Sequence, residues 1–353
     1  MSAPSLGERL RPHAAKIVAS IVLASGFLWV LRRGGFPVIP SGQILARIPP
    51  WGWAVAIVYQ AASIHFRTYR WIYLLRPIRR DLDPLRVYGI GLVGFTAVVF
   101  APLRLGELAR PSLLAQDGEV TFTQAMGTVG AERVLDGLFV TVLLFLALST
   151  STPLSPLPDH LGDLPLPVAA VPTAAYGALL LFSGAFAAMG VFFFARDWAR
   201  RAVHGVVGKV SLRLAEFLSD KVERLADGLQ FFRSREASLP FLRDTAIYWA
   251  VQVLGAWLAM RSVGLSADPG QTMVVAGVTG IGSLIPAGPG FFGAYQLAAY
   301  AGLAMFFPVE SVQSGGAAWV FVTYSTNLAM NALQLPVGYW MMRRGARACG
   351  SQS

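Results

Sequence analysis

Arg104, Glu107 and Arg110 interrupt a stretch that is otherwise apolar. Residues 97–110 read Ala-Val-Val-Phe-Ala-Pro-Leu-Arg-Leu-Gly-Glu-Leu-Ala-Arg. The hydrophobic run stops at Pro102, and a short charged helix is predicted to begin there, because proline fits the first helical turn. A helix N-terminus offers free N–H groups to an anion. Arginine adds a planar forked cation suited to phosphate. On a helix, Arg104, Glu107 and Arg110 fall three apart and share a face. That face can hold a phosphate through arginine and an amine or sugar hydroxyl through Glu107. It can equally be a self-satisfied Arg–Glu–Arg lock. Charges at bilayer depth cost about 3 kcal/mol each on insertion scales, so they usually persist for a functional reason.

Three more groups carry possible chemistry. Glu132, Arg133 and Asp136 open the next apolar run, with the two carboxylates one turn apart. They can pair with Arg104 or Arg110, face a cationic headgroup, or couple a proton. A second break holds Pro286, Gly288, Pro289, Gly290, Gly293 and Gln296. Its glycines permit a tight turn and close backbone approach, which serves as a structural bend or as a gate. Thr323, Asn327, Asn331 and Gln334 form a polar stripe on the last apolar helix, and Tyr248 and Gln252 form a shorter one. Such stripes join helices by hydrogen bonds or line a path.

The elements that must position these residues are membrane helices. The chain has 353 residues, 55% of them hydrophobic and 14% charged. A soluble chain carries about 25% charge. Several runs approach the ~20 apolar residues that span a bilayer. The alternation of an outer-membrane barrel is absent. The net charge is +10, but it lies in loops between apolar runs, which points to topology and anionic lipid rather than nucleic acid. Cys349 is the single cysteine, and the four histidines have no ligand spacing. Neither a metal site, a cofactor nor a catalytic residue is expected.

Expected spans are 14–31, 51–75, 168–195, 243–262 and 314–341, with interrupted apolar segments at 85–149 and 270–307. The start of the chain resembles a signal peptide without a clear cleavage site, so a retained first helix is expected. The Pro-rich stretch 151–167 has no Lys or Arg and is expected outside. The segment 196–242 is predicted to be a cytoplasmic amphipathic helix, because its apolar residues recur at helical spacing. Most basic residues then fall on the side of the N-terminus, which places both termini in the cytoplasm; Arg32 and Arg33 run against that rule. The basic run Arg67 to Arg86 counts as cytoplasmic in this scheme. The last crossing of the first interrupted region is expected at about 134–149. The fold class is therefore an all-α polytopic membrane bundle. It contains two oppositely oriented re-entrant hairpins, the pattern of inverted-repeat transporters.

At these residues the chain resembles the membrane domain of lysylphosphatidylglycerol synthases, a flippase-like family. The family's proline, arginine, Gly-Glu and arginine pattern is matched by Pro102, Arg104, Gly106, Glu107 and Arg110. Its Glu-Arg-x-x-Asp motif is matched by Glu132, Arg133 and Asp136, and its Pro-Gly-x-x-Gly motif by Pro289, Gly290 and Gly293. Many members place Glu where this chain has Gln296, so the second hairpin is not expected to supply a carboxylate. The resemblance covers nearly the whole chain, as one flippase-like domain over 1–353. It implies an inner-membrane protein that moves, or helps assemble, polar lipids. The cytoplasmic aminoacyltransferase domain of bifunctional members is not expected here. The partners implied are anionic or zwitterionic lipids, with a second copy or lipid-synthesis enzymes as further candidates, and no nucleic acid.

The resulting expectation is passive or ion-coupled lipid translocation, since no ATP-binding loop is present. Arg104 and Arg110 are expected to hold the phosphate, and Glu107, Glu132 and Asp136 to complement them or a cationic headgroup. The alternatives are a membrane transferase acting on lipid-linked sugars and a scaffold for lipid synthesis.

Overall fold

The computed structural model describes residues 14–160, 162–164, 168–194, 230–285 and 287–350. The regular elements among them are all helices. The expected segment 196–242 lies mostly outside the described residues. Its end forms a short 3-10 turn, Gln230–Arg233, and the first residues of the next long helix.

Helix α1 (Ala14–Arg33) is followed by the short α2 (Gly42–Ala46) and by α3 (Pro50–Tyr69), which starts on a proline. Arg70 links α3 to the single turn α4 (Trp71–Leu75). Helix α5 (Pro84–Phe100) begins where Asp83 accepts the Leu85 N–H and Pro84 presets the first turn. It ends because Ala101 turns extended ahead of Pro102. A 3-10 helix, Pro102–Leu108, then leads into α6 (Ala109–Leu114).

Helix α7 (Phe122–Thr150) opens on a capping box between Thr121 and Gln124. The helix that contains the expected crossing 134–149 thus starts near 122, about three turns before the apolar run. Glu132, Arg133 and Asp136 lie inside α7 rather than at its mouth. The cap at Thr121 explains the shift, since it satisfies the first turn well ahead of the hydrophobic stretch.

Helix α8 (Ala170–Phe194) follows the Pro-rich loop. The second half contains α9 (Arg235–Ser262), α10 (Pro269–Gly282), the turn Pro289–Phe291 and α11 (Ala294–Ala304). Next come α12 (Val309–Ser311), a π-turn Val312–Gly316 and α13 (Ala317–Gly350). An Asp268–Gln271 capping box starts α10.

Among the described helices, α7 and the first 21 residues of α8 are long and apolar enough to cross a bilayer. Helix α5 is apolar but shorter. Leu180 and Leu181 on α8 are 75% and 68% exposed, a display that suits hydrocarbon rather than water. The helix α3, at the expected span 51–75, buries the polar residues Gln60, Ser63 and Thr68.

The packing is crossed between halves. The α3 helix lies along α9, and α5 lies along α13. In turn α10 lies along α7 and along its own hairpin partner α11. The main core joins α10, α11 and α13 around Val274, Tyr300 and Trp319. A second core around Trp71, Ile90 and Phe241 supports the charged cluster.

Candidate functional site

Arg110 sits on α6 and is completely buried. Its Nη1 donates to Glu132 Oε2 on α7 at 2.7 Å. Glu132 is equally buried, and its Oε1 lies 3.5 Å from Arg70 Nη2. Arg70 Nη2 donates to Asp136 Oδ2 at 2.5 Å, and Nη1 donates to Thr245 on α9 at 3.0 Å. A chain of charge-assisted hydrogen bonds, closed between Glu132 and Arg70 by an ion pair alone, thus ties α6, α7, the α3–α4 joint and α9 together. The cations are also stacked. Arg110 lies over Phe95 and Trp71, at 4.3 and 5.1 Å, and Arg70 lies over Tyr248 and Phe241.

Glu107 takes a different partner. Its Oε2 accepts from Arg133 Nε and Nη2 at 3.1 and 3.0 Å. Glu107 and Arg110 therefore meet separate residues of α7, because the backbone between them changes from a 3-10 helix to an α-helix. The side chains of Pro102 and Arg104 lie outside the described residues, although both positions belong to the 3-10 helix.

Two glycines make this geometry possible. A Cβ on Gly106 would meet the backbone of Ala97, so the 3-10 helix folds directly back on α5. A Cβ on Gly94 would meet the aliphatic stem of Arg110. Gly94→Ala is therefore expected to destabilise the protein by about 1–3 kcal/mol through overpacking. A lowered thermal midpoint in detergent would record it, and an unchanged one would show that Arg110 has room to move.

In front of the cluster lies a cavity of about 290 Å³. Arg133, Asp136 and Arg67 line it from the first half of the chain, with Tyr248, Gln252 and Asn327 from the second. Phe291 and Tyr295, at the second break, close another wall. Arg110 and Glu132 are packed behind this surface rather than on it. Arg67 is the residue that the sequence placed in a cytoplasmic loop. It instead points inward from α3, its guanidinium carbon 4.0 Å from the Phe95 ring centroid. Its Nε is buried without a hydrogen-bond partner, and no carboxylate among the described residues pairs with it. It stands in the field of Arg110, Arg133 and Glu132. Among the described side chains the cluster holds four guanidinium groups (Arg67, Arg70, Arg110, Arg133) and three carboxylates (Glu107, Glu132, Asp136). One positive charge is in excess.

Arg67 and Arg70 were missed because they were counted as topology markers. A signal was present, since both lie within the expected span 51–75 at a three-residue spacing that puts them on one helical face.

At the second break Gly290 and Gly293 have φ of 75° and 87°, and Phe291 is also left-handed at 57°. The glycines are required there. A Cβ at Gly288 or Gly293 would also strike Ala24 or Phe27 of α1. Pro289 opens the 3-10 turn, and Pro286 lies outside the described residues. Gln296 Oε1 accepts the Gly293 N–H at 2.7 Å and so caps α11, a role that needs only an oxygen. The polar stripe on α13 divides. Asn327 reaches the cavity, and Thr323 accepts from the Tyr295 hydroxyl at 3.0 Å. The Asn331 carbonyl binds Thr96 of α5, and Gln334 donates to Asn331 Oδ1. The stripe is thus helix glue at one end and cavity wall at the other. Tyr248 and Gln252 both line the cavity, and Gln252 also accepts from Ser63 at 2.8 Å.

Two comparisons with known proteins give matches. The family described as the lysylphosphatidylglycerol synthase TM region matches residues 17–329. Glycosyltransferase AglD of Haloferax volcanii is 23% identical over 282 residues, which cover 75% of this chain. The match spans 45% of that relative, less than half of its length. No solved structure matches the chain.

Proposed function

The chain belongs to the family of the lysylphosphatidylglycerol synthase TM region, and from that premise we propose that it carries an anionic-headed lipid between bilayer leaflets through the central cavity. The observation that carries this is Arg67. A part-buried guanidinium without a counter-ion among the described residues is costly, and here it faces a cavity beside Arg133. A lipid phosphate in the cavity neutralises the excess charge and accepts from both arginines. Asp136, on the same wall, takes a cationic or hydroxylated portion of the headgroup. The lock formed by Arg110, Glu132 and Arg70 holds the wall in place.

The crossed packing supports a polytopic bundle with two inverted halves. Each half's first hairpin arm (α5 or α10) lies on the closing helix of the other half (α13 or α7), as a two-fold axis between the α3 and α9 helices requires. The two broken segments then approach the cavity from opposite sides, with the left-handed turn at 288–293 as one gate. Broken backbone at that depth survives because it is packed in protein or lines a wet cavity. The distribution of basic residues supports a reading with both termini in the cytoplasm, and the membrane in this proposal is the plasma membrane.

Leaflet-specific labelling in proteoliposomes tests this function. The expected result is accelerated transfer of an anionic phospholipid over protein-free vesicles. A second reading, a membrane step in lipid-linked glycan synthesis, follows from the name of the AglD relative. It predicts a covalent product when the purified protein is incubated with labelled lipid and a sugar donor. Transfer without a product supports the transporter, and a product without transfer supports the enzyme.

A further inference from the structure

A second concavity, about 450 Å³, lies beside the charged cavity and is almost wholly apolar. It runs along one face of α9, where Ala246, Trp249, Ala250, Val253, Leu254 and Trp257 recur at helical spacing. Phe139 and Leu143 of α7 form one side, and Met273 of α10 forms the other. From Ala246 to Trp257 the helix rises about 16 Å. That is close to the ~15 Å depth of one leaflet's hydrocarbon. At the far end Trp257 Nε1 donates to Ala267 O at 2.9 Å, and Arg261 lies over its ring, the pattern of an interfacial anchor.

Trp249 lines both the groove and the charged cavity. Its Nε1 is buried and has no hydrogen-bond partner. An indole bridges polar and apolar surroundings with its ring in the latter and its N–H toward the former. At this joint the N–H is placed for an oxygen at the level where a lipid's head meets its chains. The small residues Ala246 and Ala250 flank Trp249 and leave the groove floor open.

We infer that the α7–α9–α10 groove holds one hydrocarbon chain of the lipid whose anionic head occupies the cavity, with Trp249 donating to the head–chain junction. This rests on the proposed function and adds to it the amphiphile's placement. The head moves through a polar compartment while its chain stays in an apolar slot, so neither part crosses an environment of the wrong polarity.

The test uses two photoreactive phosphatidylglycerols in nanodiscs with the full chain, one with the diazirine in the headgroup and one with it in the chain. Cross-linked peptides are mapped by mass spectrometry. The head probe is expected at cavity residues and the chain probe at 246–257 and 139–143. Ala250→Trp fills the groove, and chain cross-links there are expected to fall to background while head cross-links in the cavity persist, which also reports folding. Trp249→Phe keeps the ring and loses the donor, and it is expected to weaken head labelling without moving the chain label. Head labels confined to the cavity with chain labels spread evenly over the protein's lipid-facing perimeter, in wild type and Ala250→Trp alike, would overturn the groove assignment alone. Head labels absent from the cavity and indifferent to Arg67→Gln would instead overturn the transport reading beneath it.

Discussion

Arg67→Gln slows transfer of an anionic phospholipid in proteoliposomes by about tenfold to a hundredfold, the value of one charge-assisted hydrogen bond to a ligand of 1.5–3 kcal/mol. The thermal midpoint of the same variant stays close to wild type. The two expectations have one cause. Among the described residues Arg67 has no carboxylate partner, and its buried Nε has no hydrogen bond, so its charge adds little to folding. Stacking on Phe95, on the order of 1 kcal/mol, and the attraction of Glu132 are lost, and relief from Arg110 and Arg133 offsets part of that. Arg67→Lys keeps the charge but not the planar fork, and recovers only part of the rate. Equal transfer rates in wild type and Arg67→Gln, with both proteins folded, would remove the phosphate role.

Glu132→Ala has the opposite signature. Glu132 is buried completely between Arg110 at 2.7 Å and Arg70 at 3.5 Å. Removing it leaves buried cations uncompensated and costs about 3–5 kcal/mol of stability. Arg110→Met combined with Glu132→Leu removes the pair together. The double variant is expected to recover most of the thermal midpoint, since a packed apolar pair replaces a desolvated ionic one. Arg70 keeps Asp136 and Thr245 in that background, so the α7–α9 connection survives. A thermal scan of the two variants in detergent decides the matter. A Glu132→Ala midpoint equal to wild type would show that the pair does not hold α6 to α7. Recovery of transfer together with stability in the double variant assigns Arg110 and Glu132 to the lock and leaves contact with substrate to Arg67, Arg133 and Asp136.

Some of this was open to a reader of the sequence and some was not. The break at Pro102 was legible because proline cannot continue α5, and the second break because Gly290 and Gly293 have no side chain to oppose a left-handed turn. The match to the family over 17–329 followed from the same motifs. The expected span 134–149 lies within α7, but hydropathy marks only the apolar stretch, whereas the helix starts at the Thr121 cap. Gln296 was noted only as a departure from the family's glutamate. The structure makes it the cap of α11, a task for which an amide oxygen suffices.

By itself, then, the sequence determined an all-helical, apolar chain with two backbone breaks and a set of buried charges, because composition, proline and glycine act locally. It could not determine which charges pair. Glu107 and Arg110 are neighbours in the chain, yet they bind different residues of α7, and Arg67 and Arg70 part ways within one turn. Pairing depends on where α3, α6, α7 and α9 meet, a matter of long-range packing that spacing along a helix does not encode. Tertiary structure alone therefore sorted one cluster of like-looking charges into a lock behind the wall and, among the described residues, a cation without a carboxylate partner on it.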